Sequence, residues 1–207
     1  MKIQNNKGFS LIELSIVLII MGLLVAGVTS GASLIKSARI RSIITEAEDF
    51  RSGINTYYGR YDRMPTYGLI SGTSVTAQQA WQNLQSRKIV EVSATGGYVP
   101  AKYTKAFWTF TSATSVYGGE NTLAFVGKTT SESTTTISNI LTADDAYIVV
   151  KKMDAGKAVG NVVTVCKALS GTLTAEDNTT FETNLIGDNA TTTVSYVLLF
   201  NMDEGSN

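Results

Sequence analysis

The chain has no histidine. That excludes imidazole-based acid–base catalysis, histidine triads and histidine-ligated metal centres. It has one cysteine, Cys166, which excludes an intrachain disulfide and any multi-cysteine zinc site. Cys166 ends the β-like run Val162-Val163-Thr164-Val165-Cys166, where it reads as a buried inert thiol, or else as a reactive thiol or half of an intermolecular bridge. There is no proline before Pro65, so nothing of that kind interrupts a helix in the first third of the chain. Charge is also scarce. Asp, Glu, Lys and Arg make up 16% of the residues, against about a quarter in ordinary globular proteins. The 17 basic residues balance the 17 acidic ones, so the chain lacks the basic field that a nucleic-acid partner would require. No glycine-rich phosphate loop ends in Lys-Ser/Thr, and the carboxylates are too scattered to form a paired acid and base. Catalysis is therefore not expected.

Thr, Ser, Asn and Gly fill the place of the missing charges. Thr and Tyr favour strands, and Gly and Asn favour turns, as in β-rich extracytoplasmic domains. At 207 residues the chain is long enough for one membrane helix and one globular domain.

One long apolar run, from Leu11 to Val28, follows a short leader containing Lys2 and Lys7. A cleaved secretory signal would need a small-residue site such as Ser30-Gly31-Ala32, but Glu13 interrupts the apolar core and the helical pattern continues beyond Ala32. A buried soluble helix is a poor match for a run apolar on every side and close to membrane length. A retained membrane helix fits best. Lys2 and Lys7 then put the N-terminus in the cytoplasm and the bulk of the chain outside it.

Lys7-Gly8-Phe9-Ser10-Leu11-Ile12-Glu13-Leu14 resembles the class III signal of type IV pilins and type II secretion pseudopilins. The matching features are glycine before phenylalanine, glutamate as the fifth residue of the mature chain, and an apolar run directly after. Firm resemblance covers roughly the first 60 residues. It implies that a prepilin peptidase cuts between Gly8 and Phe9 on the cytoplasmic side of the membrane and N-methylates Phe9. The cut precedes the apolar run and spares the anchor. The resemblance further implies a structural subunit that polymerises with itself or with sibling pilins, through an inner-membrane assembly platform, into a type IV pilus or a secretion pseudopilus. The expected location is the inner membrane, single pass, with a periplasmic C-terminal domain, and then a periplasmic or cell-surface filament. The alternative is a minor tip pilin that acts in adhesion or DNA uptake.

A carboxylate within a membrane segment costs roughly 2.5–3.5 kcal/mol on insertion scales. Glu13 lies one helical turn from Phe9, so the N-terminal amine of its own chain is within conceivable reach. The family resemblance implies instead that it meets the amine of a neighbouring subunit during assembly. The alternative to both is that Glu13 snorkels to the headgroups or stays protonated. Gly22-x-x-x-Ala26 and Gly27-x-x-x-Gly31 are small-xxx-small spacings that permit close helix packing, or that simply tolerate lipid.

From Leu34 the pattern turns amphipathic. Ile40, Ile43, Ile44, Ala47, Phe50, Ile54, Tyr57 or Tyr58, and Tyr61 recur at steps of three and four, with Lys36, Arg39, Arg41, Glu46, Glu48 and Arg51 mostly between them. Gly59 and the Met64-Pro65 step end the helix. The expected architecture is α+β: a long N-terminal helix, membrane anchor first and amphipathic second, packed on a C-terminal antiparallel sheet. The divisions are a leader over 1–8, a membrane and assembly helix over 9–35, its amphipathic continuation over 36–62, and a β-rich head over 63–207.

Within the head, 78–88 reads as a short helix with Trp81 and Leu84 inward. Strands are expected at 106–110, 122–126, 146–150, 162–167 and 195–200, with 128–138 as a Ser/Thr-rich surface loop. Asp154-Ala155-Gly156 reads as a hairpin turn. Some pseudopilins bind calcium, and Asp144, Asp145 and Asp154 are the candidates here, but their spacing matches no calcium-loop template. No metal or cofactor is expected.

Overall fold

The computed structural model describes residues 10–66, 76–102, 105–111, 122–131, 134–138, 140–154, 156, 158–169, 172–177, 181 and 195–202. Contacts divide the chain into two units, 1–39 and 40–207. Helix α1, Leu11–Tyr61, supplies all of the described first unit except Ser10 and opens the second.

In the first unit the apolar side chains of α1 cover nothing. Leu11 is 88% exposed, Val28 72% and Leu34 71%. The helix contains a stretch long and apolar enough to cross a membrane, with none of it buried in the protein.

In the second unit α1 behaves as an ordinary amphipathic helix. Ile40, Ile43, Ala47, Phe50, Ile54 and Tyr57 are buried, at steps of three and four. Each large member of that stripe contributes about 1.5–3 kcal/mol by leaving water. Gly53 faces Val90, and a Cβ there would come within 2.8 Å of Val90 Cγ2, so glycine lets the 89–90 segment lie close against the helix. The helix stops where Asp62 takes a left-handed φ of 51°, with its N–H bonded to Tyr58 O at 2.8 Å.

Helix α2, Ala77–Ser86, starts at a capping box, in which Thr76 and Gln79 satisfy each other's backbone N–H groups. Its Ala80, Trp81 and Leu84 are fully buried, as the sequence pattern requires.

Eight antiparallel strands lie among the described residues: β1 Tyr98–Pro100, β2 Ala106–Thr111, β3 Thr122–Ser131, β4 Thr134–Ser138, β5 Leu141–Thr142, β6 Val163–Leu169, β7 Thr172–Ala175 and β8 Ser195–Asn201. The sheet order is β1-β2-β3-β8-β6-β7, with β4 paired to β3 and β5 to β8. The last strand therefore lies at the sheet's centre, between β3 and β6. This is the α+β layout, a long helix packed with an antiparallel sheet.

Alternation in the central strands gives the sheet two buried faces. Leu123 and Phe125 of β3, Val163 and Val165 of β6, and Tyr196, Leu198 and Phe200 of β8 join α1 and α2 in one core. Ala124, Val126, Cys166, Val197 and Leu199 form a second cluster, each fully buried. Trp108 is the hub of the first core. Its ring centroid lies 5.5 Å from Phe50, 4.9 Å from Phe125 and 5.3 Å from Phe200.

Three expectations need correcting. Residues 146–150 are not a strand but part of helix α3, Ala143–Met153. Thr142 caps it, Asp144 and Asp145 occupy its first turn, and Lys151 and Lys152 its last, so both ends suit the helix dipole. Ala143, Ala146, Val149 and Val150 are buried at helical spacing; the β-branched run had masked that period. For the same reason Asp154 is the C-cap of α3 rather than part of a hairpin. Residues 128–138 are not simply a loop, because β3 continues to Ser131 and returns as β4. Threonine suits such a ribbon even with few apolar residues.

Candidate assembly site

The N-terminal end of α1 carries the chemistry singled out in the sequence. Gly8 and Phe9 lie outside the described residues. Ser10 immediately precedes the helix, and its O accepts the N–H of Leu14 at 3.2 Å. Glu13, in the first turn, reaches back so that Oε2 accepts the N–H of Ser10 at 2.9 Å. This is one half of a capping box, and the Ser10-x-x-Glu13 spacing is its sequence signature. The carboxylate also sits at the positive end of the helix dipole. Within its own chain, then, Glu13 already has a partner that offsets part of the cost of its position.

Beyond Glu13 the helix carries no charge until Lys36. Gly22, Ala26 and Gly27 are exposed, and a Cβ on Gly22, Gly27 or Gly31 would meet nothing within 4 Å. These small residues leave shallow places on an unpartnered helix surface, where a second helix could approach closely. Thr29 turns its hydroxyl to Val25 O and Ala26 O, so this polar side chain is satisfied on its own helix backbone.

The calcium candidates do not converge. Asp144 and Asp145 are in the first turn of α3, and Asp154 is at the other end of that helix. Asp154 Oδ2 instead accepts the N–H groups of Val162 and Val163, at 2.6 and 3.1 Å. Among the described residues no three acidic, cysteine or histidine side chains cluster to hold a metal ion. Cys166 is buried, and burial pushes its thiol up to about 12, with Glu176 adding to the shift.

Sequence reasoning missed Glu46. It is 5% exposed on the core side of α1, where Oε2 accepts Trp108 Nε1–H at 2.8 Å. Its Oε1 accepts the Ser42 hydroxyl at 3.0 Å and the Lys102 N–H at 3.1 Å. Its place directly before Ala47 on the inward stripe was the available signal.

Residues 3–29 match the family model of the prokaryotic N-terminal methylation motif. That motif is the prepilin signal of type IV pilins and pseudopilins, and it contains Gly8, Phe9 and Glu13. Neither a curated protein nor a solved structure matches the chain. The signal implies processing by prepilin peptidase and assembly with other pilins, and together with the apolar helix it supports membrane anchoring.

Proposed function

We propose that this chain is a structural pilin-like subunit, made as a membrane precursor, cut between Gly8 and Phe9, methylated at Phe9 and polymerised through α1. The filament is a type IV pilus or a type II secretion pseudopilus. One observation carries the reading: the apolar half of α1 is exposed, holds Glu13 as its single charge, and begins inside the match to the prepilin signal. Such a helix has two environments that suit it, a bilayer and the interior of a bundle of like helices. Cleavage before the apolar run leaves the anchor in place and creates a new amine four residues before Glu13 in the sequence. The globular head, with both sheet faces buried, then stands outside the membrane as the filament's outer surface.

The test is intact mass and N-terminal sequencing of the chain purified from cells with and without prepilin peptidase. The expected result is a mature chain starting at N-methylated Phe9 only when the peptidase is present. A chain that keeps Met1 under both conditions, or that starts at Ser33, rejects the reading.

A further inference from the structure

A cleft of about 410 Å³ opens between α1 and the segment that follows α2. Phe50, Val90 and Val92 give it an apolar floor, and Asp49 and Glu91 stand exposed on its lining. Glu46 also lines it, but its carboxylate already serves Trp108, Lys102 N–H and Ser42. Lys102 is the one cation among the lining residues, so the cleft stays net acidic. Asp49 and Glu91 take part in no ion pair among the described residues.

The complementary group is on the same helix. Arg41 is exposed and likewise makes no ion pair among the described residues. At 3.6 residues per turn it stands about 140° round the helix from Glu46 and about 80° from Asp49, outside the lining of its own cleft. It also lies eight positions before Asp49, ~12 Å along the helix, so a chain cannot close this pair on itself. Arginine suits the cleft in two ways. Its methylene stem can lie on the apolar floor, and its planar fork can take two carboxylates at the rim.

We propose that the cleft receives Arg41 of a second copy of this chain. The contact is heterologous: the cleft of one copy takes an arginine that lies outside the cleft of the other. A heterologous contact that does not close generates an open helical array rather than a dimer. The inference rests on the polymerising role proposed above and adds a specific contact between heads to it.

The test uses the full chain, expressed with its assembly machinery, and reads sheared filament yield. Arg41→Glu alone, and Asp49→Arg with Glu91→Arg, are each expected to lower yield roughly tenfold or more, because like charges then face each other across the interface. The combined triple variant is expected to return yield to the wild-type range. All these positions are exposed, and unchanged protease resistance of the membrane-embedded chains is the control for folding. As a second readout, copies carrying Arg41→Cys are mixed with copies carrying Glu91→Cys and treated with a short bismaleimide. The expected product is a dimer that forms only in the mixture; Cys166, 0% exposed, stays silent. If the wild type polymerises, but the reversals have no effect or the triple variant gives no rescue, and no mixed dimer forms, the contact is overturned and the functional reading stands. A wild type that forms no filament overturns both.

Discussion

The indole Nε1–H of Trp108 donates to Glu46 Oε2 at 2.8 Å, joining α1 to β2 across 62 residues of sequence. Around that bond, Phe50, Phe125 and Phe200 surround the indole ring. The carboxylate's other oxygen takes Ser42 and the Lys102 N–H. A buried carboxylate with several donors is a directional device in a core otherwise held by non-directional apolar packing. It sets how the helix is rotated on the sheet, and with that which flanks of α1 point outward.

Glu46→Ala should therefore cost more than loss of one contact. It leaves Trp108 Nε1–H and Lys102 N–H without an acceptor, for a destabilisation of about 2–4 kcal/mol. Glu46→Gln keeps one acceptor oxygen and should cost about half as much. Urea unfolding of the detergent-solubilised chain, followed by tryptophan fluorescence, measures both. An alanine variant within about 0.5 kcal/mol of wild type would show that the bond does not hold the helix.

Asp154 and Gly160 should behave as a pair. Asp154 Oδ2 holds the N–H groups of Val162 and Val163, and a Cβ at Gly160 would overlap that same oxygen. Gly160→Ala must displace the carboxylate, and Asp154→Ala removes it; each should cost about 1–3 kcal/mol. The double variant should cost clearly less than their sum, because both changes destroy one turn. Thermal unfolding of the two singles and the double tests this, and strict additivity would contradict it.

Alkaline pH should weaken the fold through Cys166. Its thiol titrates at about 12 in the folded chain, against an ordinary value of 9.0. An acid whose folded value is raised binds its proton more tightly in the native state. Its stabilising contribution is intact below about pH 9 and is lost as the pH climbs from there toward about 12. Burial shifts Tyr98 in the same direction. Stability measured across that range should fall with pH, and Cys166→Ala should flatten part of the slope. In native protein at pH 8 the thiol should resist maleimide and react once the chain is unfolded. Rapid native labelling would contradict the burial.

How much of this was legible in the sequence depended on how local the cause is. The inward stripe Ile40-Ile43-Ala47-Phe50-Ile54-Tyr57 follows from helical period alone, and the strands at 106, 122 and 195 follow from aromatic and β-branched runs. Helix α3 was misread because Tyr147-Ile148-Val149-Val150 has strand propensity, whereas its caps and its long-range burial at 143, 146, 149 and 150 decide the outcome. The place of β8 between β3 and β6 is a matter of long-range pairing that no local pattern encodes. In the sequence Glu46 is one more charge among the stripe positions, because its meaning comes from an indole 62 residues away. The assembly end was the most legible part, because the prepilin signal is contiguous. There, even the bond from Ser10 N–H to Glu13 has its signature in the Ser10-x-x-Glu13 spacing.

That bond sharpens what substitution of Glu13 should do. In its own chain the carboxylate caps α1; in the proposed filament it meets the amine of a neighbour. Glu13→Gln separates the two roles, because its amide oxygen can still accept from Ser10 N–H but carries no charge. If attraction to a neighbour's amine drives assembly, Glu13→Gln and Glu13→Ala should both insert, be cut between Gly8 and Phe9, and fail to yield filament. Methylation keeps the amine cationic, so the attraction should survive processing. If capping is the whole role, Glu13→Gln should assemble as wild type and only Glu13→Ala should fail. N-terminal sequencing of the membrane fraction, set beside sheared filament yield for the three chains, distinguishes these. The expected result is normal processing in all three and filament from the wild type alone.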